Sequence, residues 1–595
     1  MSWQRRYPPL LVIGVSLILA VFALPSALNL PQANPGQTLE YAPVPGNANQ
    51  SSQQGNLAGL GLGSGGEALG SGGIPPDLGP LGPLLPGAPG NPSNKRCVGV
   101  PPRQTEDPLS PPCVGSYTGN NGGATYTGVT KDEVVLLYYL DGNGTDYGTS
   151  QGNQPIPTSK YVDMAKPVDP NDGVWSQMLH LAQTYFNARF QTYNRKVHIW
   201  AYFDSGATSA DASPQQRRQD AADNWNQLHP FAVISYPIFD SQDYLSAMAS
   251  HGVASFVGSK MFNYGSLGAP AGYFRTFAGL LWSFDPTIEY RAQEFANLVC
   301  TEVANRPVSF SGNVTDMKRQ RTLGILIPQY PNYPEQRELA EAIRTDLGSC
   351  VSNLEVGSKY DPSGGGTDAN FAANAAQQMA TFKRDQVTTV IDPGQGAYDT
   401  RGAASVNYSP EWIVAGDGLA DSSVNGSLQD QTVFKNAWLM TTVTHRGPSP
   451  SDDLCVQSGL EASPQAAVGD LLQYYCPLYD SSRQVFTAIQ VAGPHLDPSH
   501  IDQGFHAIPH VASSSNRVPA CYYEVGDYTC VKDAMLEYWD PAGNDPEYGG
   551  GGSGGAGNGL SGCWRLVDAG SRHIGGWPDR DIYAKGSSDA CNGQF

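Results

Sequence analysis

Apolar runs of strand length alternate with helix-spaced apolar positions at least seven times between Val134 and Ala415, and each run ends in a turn rich in Gly, Pro, Asp or Ser. Val134-Val-Leu-Leu-Tyr-Tyr-Leu140 is apolar throughout, as expected for a strand buried on both faces. Trp175, Met178, Leu179, Ala182, Tyr185 and Phe186 then recur at helical spacing. Strands are predicted at Val197–Phe203, Phe231–Ser235 and Val253–Val257, with helices near 215–227 and 241–250. A second series begins with a helix over 287–304 and continues with strand Leu323–Ile327 and a helix opening at Pro334, since Pro suits a first helical turn. Helix 370–384 carries Phe371, Ala375, Met379 and Phe382 on one face, and strands Val387–Ile391 and Trp412–Ala415 follow. Helices are expected near 464–478 and 483–493, then a Gly- and Cys-rich tail in which Gly549–Gly555 reads as a loop. Alternation of this kind specifies α/β folding with parallel sheets, which place ligands at the carboxyl ends of their strands.

What precedes Val134 reads differently. Arg5 and Arg6 stand before an apolar run from Leu10 that weakens toward Leu30. Two readings stay open: a cleaved signal peptide with Val21-Phe-Ala23 as its small-residue site, or an uncleaved anchor of roughly 20 residues. Residues 31–95 are dominated by Gly, Pro, Asn, Ser and Leu and read as a disordered tether, because such a segment buries too little apolar surface to offset its ordering entropy. The ten cysteines, an even number, agree with export and disulfide formation. The spacing alone leaves the connectivity open; the expected set is neighbour pairing, which closes the loops of least entropic cost: Cys97–Cys113, Cys300–Cys350, Cys455–Cys476, Cys521–Cys530 and Cys563–Cys591. A formal charge of −20 argues against a nucleic-acid partner, whose phosphates need Lys and Arg.

Four stretches resemble the type 1 periplasmic-binding-protein superfamily, and within it the Leu/Ile/Val-type substrate-binding proteins of bacterial ABC importers, with a composition that suits an actinobacterial branch. They are Tyr185-Phe-Asn-Ala-Arg189 before Val197–Asp204; Ala232-Val-Ile-Ser235 with His251-Gly-Val253; Arg321-Thr-Leu-Gly-Ile-Leu-Ile327; and Val387-Thr-Thr-Val-Ile391 with Pro410-Glu-Trp-Ile-Val414. The resemblance spans roughly residues 115–515. It implies two Rossmann-like lobes joined by a three-crossing hinge: an N-lobe from 96–277 and 441–515, and a C-lobe from 278–440 with 516–595 as its tail. It also implies a small-molecule ligand (an amino acid or a related polar or aromatic molecule) clamped between the lobes, and a membrane permease or receptor as partner.

Carried over residue by residue, the resemblance places Tyr236, Phe239 and Ser241 in one N-lobe turn and Ser259 and Lys260 in the next. Asp417 matches the C-lobe acid that meets a ligand ammonium, and Tyr330 or Tyr333 an aromatic wall. The paired serines and the Ala-Thr or Ser-Thr pair that hold the ligand carboxylate in amino-acid binders are missing here. His495, His500, His506 and His510 cluster with Asp497 and Asp502, but Pro494, Pro498 and Pro509 break any helix that would align them as metal ligands. A nucleophile elbow and a His-Glu-x-x-His pair are both missing from strand-turn-helix contexts. The expectation is therefore an exported, cell-surface or extracytoplasmic solute-binding protein, secreted or membrane-anchored, that is not an enzyme and needs no cofactor. The alternative is a membrane-tethered receptor-like or scaffolding module of the same fold.

Overall fold

The computed structural model describes residues 107–111, 114, 117–140, 160–169, 173–204, 213–235, 242–258, 269–329, 334–359, 368–394, 397–416, 420–421, 423–435, 437–443, 453–510, 518–543 and 562–582. Two sheets organise them. The first contains β1 (Glu133–Leu140), β2 (Tyr161–Asp163), β3 (Lys196–Phe203), β4 (Ala232–Ser235), β5 (Ala254–Val257) and β6 (Leu281–Ser283), in the order β2-β3-β1-β4-β5-β6. Every neighbouring pair is parallel except β2 with β3. β1 lies inside the sheet and is buried from Leu136 to Leu140, as its unbroken apolar run requires. Helices α1 (Gly173–Arg189), α2 (Pro214–Leu228), α3 (Gln242–Ser250) and α4 (Ala271–Thr276) connect its strands.

The second sheet contains β7 (Leu323–Pro328), β8 (Leu354–Lys359), β9 (Thr389–Pro393), β10 (Glu411–Ala415), β11 (Trp438–Thr441), β12 (Ala534–Asp540) and β13 (Cys563–Leu566). Their order is β13-β12-β11-β10-β9-β7-β8, and β14 (Arg572–His573) also pairs with β12. β7 to β11 run parallel, whereas β12 is antiparallel to β11, β13 and β14. Side chains leave the two faces alternately. Ile325, Ile327, Ile413 and Ala415 pack on one side with α5 (Ile288–Glu302) and α6 (Pro334–Leu347). Leu326, Trp412 and Val414 pack on the other with α7 (Asp368–Arg384) and α8 (Ala397–Ser405). Each buried aliphatic or aromatic side chain contributes about 1.5–3 kcal/mol relative to exposure, so both faces must be apolar, and they are.

Two short helices, α9 (Ser423–Leu428) and α10 (Gln431–Phe434), precede β11, after which the chain returns to the first sheet. α11 (Leu454–Ala462), α12 (Cys476–Ala492) and α13 (Pro498–His506) place Val456, Leu478, Phe486, Ile489 and Phe505 in one core with Leu136, Phe186 and Phe256. The molecule therefore has two α/β lobes, and the chain passes between them three times: after β6, after β11 and before β12. The crossings are tied together. The first and third pair through Cys530 N–H to Ser283 O (3.1 Å) and Val531 N–H to Phe284 O (3.0 Å). Arg572 binds the second and third, donating to Thr442 O and Val443 O (2.9 Å each) and to Asp533 Oδ1 (2.8 Å).

Three expectations change here. The break foreseen between 478 and 483 does not occur, because α12 runs unbroken from Cys476 and its Ser481 and Ser482 hydroxyls bond back to Leu478 O. The helix expected near 464–478 begins a few residues later: 463–467 are a turn after α11, and the chain is helical from Val468 through the wide turn Leu471–Tyr475 into α12. Pro498 opens α13 instead of breaking it, since a first-turn proline lacks only an N–H that has no helical partner there. Cys300–Cys350, Cys455–Cys476 and Cys521–Cys530 are disulfides, as neighbour pairing anticipates. Cys563 is disulfide-bonded as well; Cys97, Cys113 and Cys591 lie outside the described residues.

Candidate functional site

The first crossing leaves the carboxyl end of β6 and the second leaves the carboxyl end of β11. Both parallel sheets thus turn their carboxyl ends toward the crossings, and that is where a ligand cleft forms in this class of fold. Asp417, Ser241, Ser259, Lys260, Tyr236, Phe239, Tyr330 and Tyr333 follow these strands in the sequence, and all lie outside the described residues. Residues 1–30 do too; among the described residues no helix is long and apolar enough to cross a membrane.

The described strand ends carry polar groups that the sequence reading missed. In the second lobe, Arg291 sits one turn into α5 and is fully buried. Its Nη1 donates to Gly416 O (2.5 Å) at the carboxyl end of β10, while Nε and Nη2 have no hydrogen-bond partner among the described residues. Asp421 flanks the same strand end and accepts from Thr441 Oγ1 (2.6 Å). A Cβ on Gly416 would lie 2.0 Å from Asp421 Oδ1 and 2.7 Å from Met440 O, so only glycine fits between these groups. At the ends of β8 and β9, buried Lys359 is paired with Asp392 and lies 3.7 Å from Asp399. One signal for Arg291 was available: it occupies a core-facing position among Ile288, Ala292 and Phe295.

In the first lobe the ends of β1 and β3 carry Tyr139 and Tyr202, whose hydroxyls donate to the buried Asp220 of α2 at 3.0 and 2.9 Å. Tyr139 also stacks on Tyr244, with ring centroids 3.7 Å apart. Burial pushes the Tyr139 hydroxyl far above the ordinary tyrosine range, with Arg217 opposing and Asp204 and Asp220 adding to the shift, so it stays a neutral donor. Ser235, at the end of β4, is buried and its Oγ has no partner among the described residues. Together these ends present an arginine, a serine and bound carboxylates, a set suited to holding a small polar molecule, and among the described residues no nucleophile and base are aligned there.

The histidine cluster splits: His495, Asp497 and His500 line one pocket with Thr125, while His506 and His510 pack elsewhere. His500 pairs with Asp497 (2.9 Å), His506 Nδ1 lies 2.7 Å from Asp502 O, and His510 stacks on Tyr522. Among the described residues no three His, Cys, Asp or Glu converge as metal ligands.

No protein-family model matches the sequence, and no curated protein matches it. Solved structures with a similar fold include an ABC transporter substrate-binding protein from Desulfitobacterium hafniense in complex with Leu (11% identity, TM-score 0.43, covering 68% of this chain and 97% of that one). Another is the leucine-, isoleucine-, valine-, threonine- and alanine-binding protein of Brucella ovis (9% identity, TM-score 0.44, covering 75% and 97%). A third is a solute-binding protein of an ABC transporter from Rhodopseudomonas palustris in complex with 3,4-dihydroxybenzoic acid (10% identity, TM-score 0.41, covering 69% and 93%).

Proposed function

We propose that this chain is an extracytoplasmic solute-binding protein that clamps a small polar molecule between its lobes and presents it to a membrane permease. The observation that carries this reading is the arrangement of two parallel sheets whose carboxyl ends both meet the crossings, with the buried Arg291 incompletely satisfied at one of them. Asp417, Ser241, Ser259 and Lys260 in the adjoining turns are proposed as further ligand contacts, with Tyr236, Phe239 and one of Tyr330 or Tyr333 as walls. Hinge motion at the crossings closes the lobes, and residues 31–95 serve as the tether to the membrane. Binding makes no covalent bond.

The test is a thermal-shift screen of the full chain, disulfides oxidised, against amino acids, small amides, organic and aromatic acids, polyols and short peptides. A ligand at 100 times its Kd adds about 2.7 kcal/mol of stability. A reproducible rise in Tm with one chemical class is the expected result. Silence across the panel from protein shown to be folded overturns the proposal and favours an interaction module.

A further inference from the structure

The first described residues of the chain, 107–110, are fastened beside the hinge. Asp107 and Ser110 are both buried, and a tight turn holds them: Asp107 Oδ1 accepts from Leu109 N–H (2.8 Å), and Asp107 O accepts from Ser110 N–H (3.0 Å). The other carboxylate oxygen of Asp107 is ion-paired with Arg483 of α12, and both side chains are almost wholly buried. The Arg483 guanidinium in turn lies 5.4 Å from the ring centre of Phe284, within reach of a cation–π contact. Phe284 belongs to the first crossing, and its carbonyl accepts the Val531 N–H that ties that crossing to the third. Leu109 closes the same corner. With Phe284, Tyr523 and the Cys521–Cys530 disulfide it walls a void of about 30 Å³, which has room for one or two waters. The arm is therefore closely packed against α12 and the paired crossings.

We infer that residues 107–110 are a hinge clamp: they seat the paired first and third crossings on the first lobe, and displacing them loosens the hinge. The inference rests on the hinge of the proposed function and not on its ligand. Arg483 is the fastener. Asp107 holds its guanidinium from one side and Asp480 (2.9 Å) from the other, so the cation is fixed over the Phe284 ring. Leu109 fills the space into which that ring would otherwise swing. When the lobes rock, the paired crossings must shift against α12, and the arm resists that shift. It thereby sets the balance between separated and closed lobes in the free chain, and through that balance the apparent affinity of the cleft.

The test uses the full oxidised chain without ligand, so a failure of cleft binding does not bear on it. Asp107→Asn removes one charge while Asp480 keeps Arg483 paired; Leu109→Ala withdraws the packing and leaves the ion pair intact. Each is expected to speed hydrogen exchange at the Cys530 and Val531 amides at least tenfold, with the amides of β1 and β7 unchanged, because only the hinge opens. Each is also expected to alter the interlobe distance distribution between spin labels on α2 and α7. A merely structural role gives a different pattern: exchange rises in sheets and crossings together, or stays at the wild-type rate in the crossings. Either of these patterns, or a wild-type distance distribution, in a folded variant overturns the inference. If Asp107→Asn does not fold, Leu109→Ala decides.

Discussion

Arg321 and Arg291 are both buried arginines of the second lobe, and their surroundings are opposite. Arg321 meets Glu411 through Nε–Oε2 (2.7 Å) and Nη2–Oε1 (3.1 Å), with no exposure of either side chain. Glu411 also accepts from Ser309 N–H, Phe310 N–H and Thr389 Oγ1. The pair joins the amino ends of β7, β9 and β10, away from the cleft. Removing one partner of such a pair typically costs about 3–5 kcal/mol, because the other charge stays buried. Glu411→Ala is therefore expected to lower unfolding stability by that order, measured by denaturant titration. Arg291 has no carboxylate within ion-pair distance among the described residues, so its folding contribution is small or unfavourable. Arg291→Met is expected to leave Tm unchanged or raised and to abolish the cleft ligand's thermal shift. A large fall in Tm would assign Arg291 to folding instead. Glu302 gives a pH prediction. Burial raises its pKa to about 7, with Arg580 opposing and Asp568 adding. The folded chain then holds a proton that the unfolded chain has released, so this residue's contribution declines as pH rises from the ordinary glutamate range to about 7. Glu302→Gln is expected to flatten Tm against pH over that interval, as followed by calorimetry.

Elements buried on both faces were legible because burial leaves an unbroken apolar run: Val134–Leu140, Leu323–Ile327 and Trp412–Ala415 all fall inside observed strands. Edge strands were not. β8 reads Leu-Glu-Val-Gly-Ser-Lys with Glu355 and Val356 exposed, and β2 is only three residues long, so neither leaves a periodic signal. β12 and β13 were hidden by the Gly-rich composition around them. α12 reads as split at Asp480-Ser481-Ser482, where polar residues suggest a turn. The structure buries the serines and gives the acid a partner: Ser482 meets Tyr138 (2.5 Å), and Asp480 pairs with Arg483. The eight ligand residues transferred by resemblance lie outside the described residues, whereas Arg291 and Asp220 sit on helices, where the strand-end rule does not look. Glycine at 416 is an element-scale constraint, since β10 ends where α5, β11 and Asp421 converge. Gly416→Ala is expected to force this strand end apart and to weaken cleft binding at least tenfold, read from ligand titration of the folded variant.

At the scale of the whole molecule, function in the proposed sense depends on how three crossings move. Independent strands would let the lobes rock in many directions. Here the first crossing is bonded to the third through Ser283 and Phe284, and the third is bonded to the second through Arg572 and Asp533, a pair with no exposed surface. Arg572 belongs to β14, so a strand that itself pairs in the second sheet ties the second and third crossings together. A hinge laced in this way favours one closing motion over a spread of orientations. The consequence is testable without knowing which residues touch the ligand. With a cleft ligand bound, the wild-type chain is expected to become more compact by small-angle X-ray scattering. Arg572→Met leaves Asp533 buried without its cation and Thr442 O and Val443 O without their donor. That variant is expected to unfold at lower temperature and to show a broader distribution of interlobe distances in the free state, measured by spin labels on α2 and α7. If the free-state distribution of a folded Arg572→Met variant matches wild type, the lacing does not set the motion, and closure is governed by the lobe surfaces instead.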